Sequence, residues 1–293
     1  MGKQAGWFSW MLLLILTVIW GSSFILMKRG LESFTPLQIG ALRIALAGIA
    51  LAPFIAGKAR NMSRQEWLWS ACVGILGNAI PAFLFPLAET VLNSATTGAL
   101  NALTPLFVII VGSMFFHLKV SKTQIVGVII GFSGALMLVL GGEEKVDLTS
   151  HIGFAGVAVL ATFLYGISTN VMKRYLNHTP SAQASGFALL AGAIPYSIYL
   201  MFDQSFLTVF ANDPHAWTAF GYIVLLSIVG TAFALILFYR LVQKTNPVFA
   251  ASLTYLIPIV AVGWGMVDGE MISLQQILGV AIILVGVFIA NRS

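Results

Sequence analysis

The ten residues Trp20-Gly21-Ser22-Ser23-Phe24-Ile25-Leu26-Met27-Lys28-Arg29 have a counterpart later in the chain, Tyr165-Gly166-Ile167-Ser168-Thr169-Asn170-Val171-Met172-Lys173-Arg174. Trp20, Gly21, Ser23, Met27, Lys28 and Arg29 correspond to Tyr165, Gly166, Ser168, Met172, Lys173 and Arg174 at a constant offset of 145. Thr35, Pro36, Ala47 and Gly48 match Thr179, Pro180, Ala191 and Gly192 at an offset of 144. Gly77, Ala79, Leu84, Phe85, Asn93 and Pro105 match Gly230, Ala232, Leu237, Phe238, Asn246 and Pro258 at 153. Ser121, Gln124, Gly127 and Gly134 match Ser273, Gln276, Gly279 and Gly286 at 152. Apolar chains share Leu and Ala by chance; they share Asn, Pro, Gln and Lys-Arg in register far less often. The chain reads as a duplication, with residues 1–146 and 147–293 as its two halves.

The composition identifies the solvent. Of 293 residues, 59% are hydrophobic and 9% charged, with mean hydropathy +0.95. Soluble domains carry about 25% charged residues, so lipid must cover most of this surface. A bilayer core about 30 Å thick takes about 20 apolar residues per helix. Ten segments qualify: 9–27, 36–57, 67–88, 95–116, 122–140, 152–171, 182–202, 216–239, 248–267 and 274–291. Lys3 before an apolar run could open a signal peptide, but no small-residue cleavage site follows, so the run is read as segment 1. The single cysteine, Cys72, excludes an internal disulfide and a multi-cysteine metal site. A pI near 9.4 could suggest nucleic acid, but no basic block exceeds two residues, and no nucleic-acid partner is expected.

Lys and Arg set the orientation. With the N-terminus inside, the inner loops hold Lys3, Lys58, Arg60, Arg64, Lys119, Lys122, Lys173, Arg174, Arg240, Lys244 and Arg292. The outer loops hold Lys28, Arg29 and Lys145, and Arg43 lies within a segment. Lys28 and Arg29 are the awkward pair. Five segments per half is an odd number, so the second half must enter the membrane from the opposite side. The expected fold is an all-α integral membrane protein, ten transmembrane helices in two inverted five-helix repeats. Such repeats are frequent in secondary transporters, with the site between halves near the midplane.

Trp20-Gly21-Ser22-Ser23-Phe24 in segment 1, Arg43 in segment 2, and the Pro105 and Pro258 segments, each followed by a small loop and a Gly-rich helix, resemble the EamA-type family of the drug/metabolite transporter superfamily. The resemblance spans essentially the whole chain. It implies bacterial inner-membrane exporters or permeases for amino acids, related metabolites or drugs. It also implies a central cavity lined mainly by segments 1, 3, 4, 6, 8 and 9, with segments 5 and 10 packed together. The second half departs from the pattern: Tyr165 stands in place of Trp20, and Phe187 stands near where a second Arg would be.

Several residues are candidates for the chemistry. Arg43 is the one formal charge well inside a segment; a centred Arg costs about 2.5–3.5 kcal/mol on insertion scales, so it must face protein or water. It reads either as a counter-charge or gate for a solute carboxylate, or as a structural Arg bonding backbone carbonyls. Glu89, near the outer end of segment 3, is its possible partner, or an ordinary interface residue. Thr17, Trp20 and Phe24 share one helix face, with Ser23 beside it, as do Thr162, Tyr165 and Thr169. Rings with hydroxyls suit an amphipathic solute; packing between helices is the plainer alternative. Asn78 and Phe85 in segment 3, Asn101 four residues before Pro105, and Tyr255 before Pro258 complete the set. The expected substrate-binding residues are thus Trp20, Ser23, Asn78, Phe85, Asn101, Tyr165 and Tyr255, with Arg43 and Glu89 as gate or counter-charge.

No carboxylate sits in mid-segment, which leaves facilitated diffusion or proton coupling through a less obvious group. No H-E-x-x-H or G-x-S-x-G occurs, so an enzyme is not expected, and neither a cofactor nor a metal is. The expected function is movement of a small metabolite, amino acids or other zwitterions foremost, across the bacterial cytoplasmic membrane by alternating access in the efflux direction. Export of drugs or lipophilic cations is the alternative, with a channel or an intramembrane enzyme behind it. The expected partners are the solute and the bilayer, the protein being a monomer or a homodimer. Both termini are expected in the cytoplasm. Gly127, Gly131 and Gly134 form a close-packing face, read as a seam with segment 10 or else between two copies.

Overall fold

In lipid only a helix or a closed barrel satisfies the backbone polar groups. The computed structural model describes residues 7–58, 62–118, 120–140, 148–245, 249–250 and 252–291. Its helices are α1 (Trp7–Gly30), α2 (Pro36–Ile55), α3 (Arg64–Glu89), α4 (Ser94–Phe116), α5 (Lys122–Leu140), α6 (Leu148–Tyr175), α7 (Ser181–Phe202), α8 (Gln204–Asn212), α9 (Ala216–Lys244), α10 (Ile257–Val267) and α11 (Leu274–Asn291). Lys3, Arg60, Lys119, Lys145, Asn246, Arg292 and the side chain of Tyr255 lie outside the described residues. No strand occurs among the described residues. Seven helices, α1 to α4, α6, α7 and α9, contain stretches long and apolar enough to cross a membrane, and α5, α10 and α11 carry shorter apolar stretches. Leu14, Val18, Ile49, Leu68, Ile129, Ile194, Met201 and Phe288 stand exposed along these helices, a surface suited to lipid tails. The protein is a multi-pass, all-helical membrane protein.

Local chemistry sets the helix starts. Thr35 accepts from the Gln38 backbone N–H while Gln38 accepts from that of Thr35, and Pro36 supplies a first-turn residue with no N–H to lose. Ser63 and Glu66 form the same box at the start of α3.

Two helices contain π-turns, Ile75–Ala79 in α3 and Ile228–Phe233 in α9, which start 153 residues apart, the offset of the repeat. Pro105 breaks α4 at Ala102 and Leu103. It has no N–H for the Asn101 carbonyl, and the Thr104 hydroxyl donates to that carbonyl at 2.7 Å instead. Segment 9, expected as one helix over 248–267, contains a 3₁₀ turn, Ser252–Tyr255, with Pro258 opening α10 after it.

The helix α8 lies in a stretch expected to be a loop. The Asp203 carboxylate starts it, accepting from the Ser205 and Phe206 backbone N–H groups, and also accepts from Gln38 Nε2 at 2.9 Å and the Tyr199 hydroxyl at 2.7 Å. Burial alone would raise the Asp203 carboxyl, but these donors outweigh it and hold it below the usual carboxylate range. Phe206 and Phe210 of α8 pack on Phe34, tying the helix to the α1–α2 turn.

The expected pairing of segments 5 and 10 is present as α5 against α11. A methyl group on Gly134 would lie 2.6 Å from the Ile283 backbone nitrogen, and one on Gly286 would strike Gly127 and Gly131. This glycine face is therefore used within the chain.

Candidate functional site

A cavity of about 80 Å³, open to the centres of water molecules, lies where α1, α2, α3, α4, α6, α9 and the 3₁₀ turn meet. Six of the seven residues singled out from sequence line it: Trp20, Ser23, Asn78, Phe85, Asn101 and Tyr165. The seventh, Tyr255, has no described side chain, but its neighbour Thr254 faces the cavity. Arg43 lines it and Glu89 is not among the lining residues. Phe24, Met27, Gly77, Thr104, Ser168, Thr169, Gly230, Thr231, Leu235, Phe238 and Tyr239 complete the wall.

The wall is built from contacts that recur in exchanged form between the halves. Trp20 packs on Phe238 with ring centroids 5.1 Å apart, and Tyr165 stacks on Phe85 at 5.7 Å. Trp20 and Tyr165 are equivalent in the repeat, as are Phe238 and Phe85. A methyl group on Gly77 would meet Ser168 Cβ at 2.6 Å, and one on Gly230 would meet Ser23 Oγ at 3.3 Å. Here too both partners are equivalents. In each case α1 packs on α9 or α6 on α3, and Gly77 and Gly230, inside the two π-turns, admit the serines closely. Trp20 Nε1 adds a hydrogen bond to the Gly230 carbonyl at 2.9 Å.

Arg43 is 8% exposed. Its Nε donates to Thr231 Oγ1 at 2.8 Å, and Nη1 lies 3.8 Å from Met27 Sδ. Glu89 forms no ion pair with it among the described residues; the pairing entertained from sequence is replaced by the Thr231 hydroxyl. Thr231 escaped the sequence reading although it is the repeat equivalent of Asn78. Phe238 escaped it too, as the equivalent of Phe85.

Beyond the cavity, at the end of α1, Lys28 and Arg29 cease to be awkward. Lys28 Nζ pairs with Asp268 at 2.6 Å and Glu270 at 2.9 Å, and Arg29 pairs with Asp268 and with Glu32. Glu270 also accepts from the Ser94 hydroxyl at 2.7 Å, tying α1, α4 and the residues after α10 together. Burial would raise both Asp268 and Glu270, but Lys28 together with Arg29 at Asp268 and Ser94 at Glu270 outweighs it and holds both carboxyls below their ordinary range. The equivalent of Lys28, Lys173, instead donates to the carbonyls of Val242, Gln243 and Thr245, the first two in the last turn of α9.

A model of the EamA-like transporter family matches the chain twice, over residues 7–140 and 154–292. An "Uncharacterized transporter" of Archaeoglobus fulgidus is 23% identical over 97% of this chain and 98% of its own length. The "Uncharacterized inner membrane transporter YedA" of Escherichia coli is 26% identical over 95% of this chain and 89% of its own. A "Probable terminal-alkyne amino-acid exporter" of Streptantibioticus cattleyicolor is 25% identical over 95% and 92%. A solved protein structure superposes with TM-score 0.66 at 18% identity, covering 97% of this chain and 96% of that one, a likeness of fold.

Proposed function

Because the chain belongs to the EamA-like transporter family, we propose that it is a secondary transporter that moves an amino acid or similar zwitterion across the cytoplasmic membrane, outward, by alternating access. The halves 1–146 and 147–293 form two five-helix repeats of opposite orientation, ten membrane helices in all, with both termini in the cytoplasm. The two separate matches to one family model support the duplication. The observation that carries the reading is the exchanged pair of contacts, Trp20–Phe238 and Tyr165–Phe85, on one cavity. A wall made of equivalent parts from two inverted halves can open toward either side by the same motion run in reverse.

The lining suits a zwitterion. Arg43 offers a positive charge to a carboxylate, and the Trp20, Phe85, Tyr165 and Phe238 rings offer cation–π faces to an ammonium group. Asn78, Asn101 and Ser23 are orienting hydrogen-bond groups. A water takes roughly 10–15 Å³ of such space, so about 80 Å³ admits a solute of a few heavy atoms. Drug-sized pockets run to about 300–1,000 Å³, which favours the amino-acid reading over the lipophilic-cation one. The name of the S. cattleyicolor relative points the same way. The ion pairs of Lys28 and Arg29 with Asp268 and Glu270 serve as the outer closure. The solute and the bilayer are the partners the function needs, and a monomer is sufficient for it, since the glycine face of α5 is covered by α11.

The test is counterflow in proteoliposomes, preloaded with a mixture of unlabelled L-amino acids and given the same mixture radiolabelled. The reading expects transient accumulation of label that Asn78→Ala and Asn101→Ala together reduce at least tenfold. Absence of counterflow, with flux proportional to concentration, would instead favour a channel.

A further inference from the structure

Glu89 ends α3 one helical turn beyond Phe85, on the same face. It therefore stands between the cavity, which Phe85 and Arg43 line, and the outer ion-pair cluster. The residue is 9% exposed, and neither carboxyl oxygen has a hydrogen-bond partner among the described residues. The charges that reach it are Glu270 from beyond α10, Lys28 from α1 and Arg43 from α2. None is committed to it: Lys28 pairs with Asp268 and Glu270, and Arg43 Nε donates to Thr231. From α6 the Tyr165 ring stacks on Phe85, one turn before Glu89 along α3. A carboxylate so buried, without a donor, is strongly disfavoured as an anion, and the neutral acid is the form this pocket holds.

We infer that Glu89 is a proton-binding site coupled to the outer mouth: closing the mouth takes up one proton from the outer side, and opening it releases that proton. The inference rests on the alternating-access reading. On opening, the Glu89 O–H bond breaks, the proton passes to water entering the mouth, and the carboxylate remains beside a Lys28 released from its partners. On closing, water returns a proton and Lys28 returns to Asp268 and Glu270. Acid on the outer side thus favours the closed mouth. The sign is opposite to that of the ion pairs themselves, since protonating Asp268 or Glu270 at much lower pH would loosen the closure.

The test places spin labels on the two sides of the mouth, at Glu32→Cys and Met271→Cys in a Cys72→Ser background, and reads their separation in lipid nanodiscs as pH is stepped. Met271 is 80% exposed and the Glu32 side chain 50%. Two separations are expected, with the long-to-short ratio rising about tenfold per pH unit across the titration, as linkage of one proton requires. Glu89→Gln, the neutral near-isostere, holds the short separation and removes the slope, and Glu89→Met removes it as well. A ratio in the unsubstituted protein that ignores pH, or a slope that survives both substitutions, overturns the inference. Two separations in a pH-independent ratio would leave alternating access standing, whereas a single separation at every pH would sink both.

Discussion

Replacing Thr231 by Val keeps the shape of a buried side chain and removes the hydroxyl that holds Arg43. Thr231 is 3% exposed and Arg43 8%, and both line the cavity, so a cavity water is the one partner left to take the hydroxyl's place. The hydroxyl accepts from Arg43 Nε at 2.8 Å and donates to the Leu226 carbonyl, just before the π-turn, at 3.1 Å. A hydrogen bond to a charged group contributes roughly 1.5–3 kcal/mol and a neutral one roughly 0.5–1.5 kcal/mol. Thr231→Val should therefore destabilise the fold by about 2–4.5 kcal/mol. In an Arg43→Met background only the Leu226 term remains, so the same change should cost about 0.5–1.5 kcal/mol. The double-mutant cycle then yields a coupling of about 1.5–3 kcal/mol, measured by denaturant unfolding of the four proteins in mixed micelles. A coupling within the roughly 0.5 kcal/mol expected of independent sites would refute the assignment of Thr231 as the residue that holds the guanidinium.

Three further outcomes are expected. Asp268 and Glu270 have depressed carboxyl groups, so their ion pairs contribute stability in full above the unfolded values near 4 and lose it as pH falls through the lower folded values. Melting temperature should drop on acidification below about pH 4, and Asp268→Asn should flatten that drop; an unchanged profile would speak against the cluster. Gly286→Leu forces a side chain onto the Gly127 and Gly131 backbone and should cost at least about 1–3 kcal/mol, seen as a lower melting temperature, whereas an unaltered one would show that α5 and α11 do not pack so closely. Trp20→Phe keeps the ring against Phe238 but removes the Nε1–H bond to Gly230, a loss of about 0.5–1.5 kcal/mol in the same unfolding assay, and no loss would mean that the bond is not made.

Much of this architecture was legible because lipid leaves the backbone few choices. Apolar length marks the helices, but it reads segments 4 and 9 as unbroken, and the interruptions before Pro105 and Pro258 come from the structure. The repeat carried more information than was drawn from it. Applied position by position, the offset of 153 turns Asn78 into Thr231 and Phe85 into Phe238, both of which reach the cavity. Glu89 was harder, because its isolation depends on which donors the surrounding helices bring near. Lys28 and Arg29 look misplaced until tertiary packing sets Asp268 and Glu270 against them. The helix α8 was missed because nine residues are too short to span a membrane, although Phe206, Val209 and Phe210 at i, i+3 and i+4 mark the face that packs toward Phe34, and Asp203 starts the helix.

The most direct measurement asks from which side water reaches the cavity wall. Ser23→Cys in a Cys72→Ser background puts one small thiol on that wall, and membrane-impermeant thiol reagents can be applied to either face of sealed vesicles. Alternating access predicts labelling from both faces, each slowed when the L-amino-acid mixture is present. A thiol that reacts from one face alone, or from neither, would contradict it.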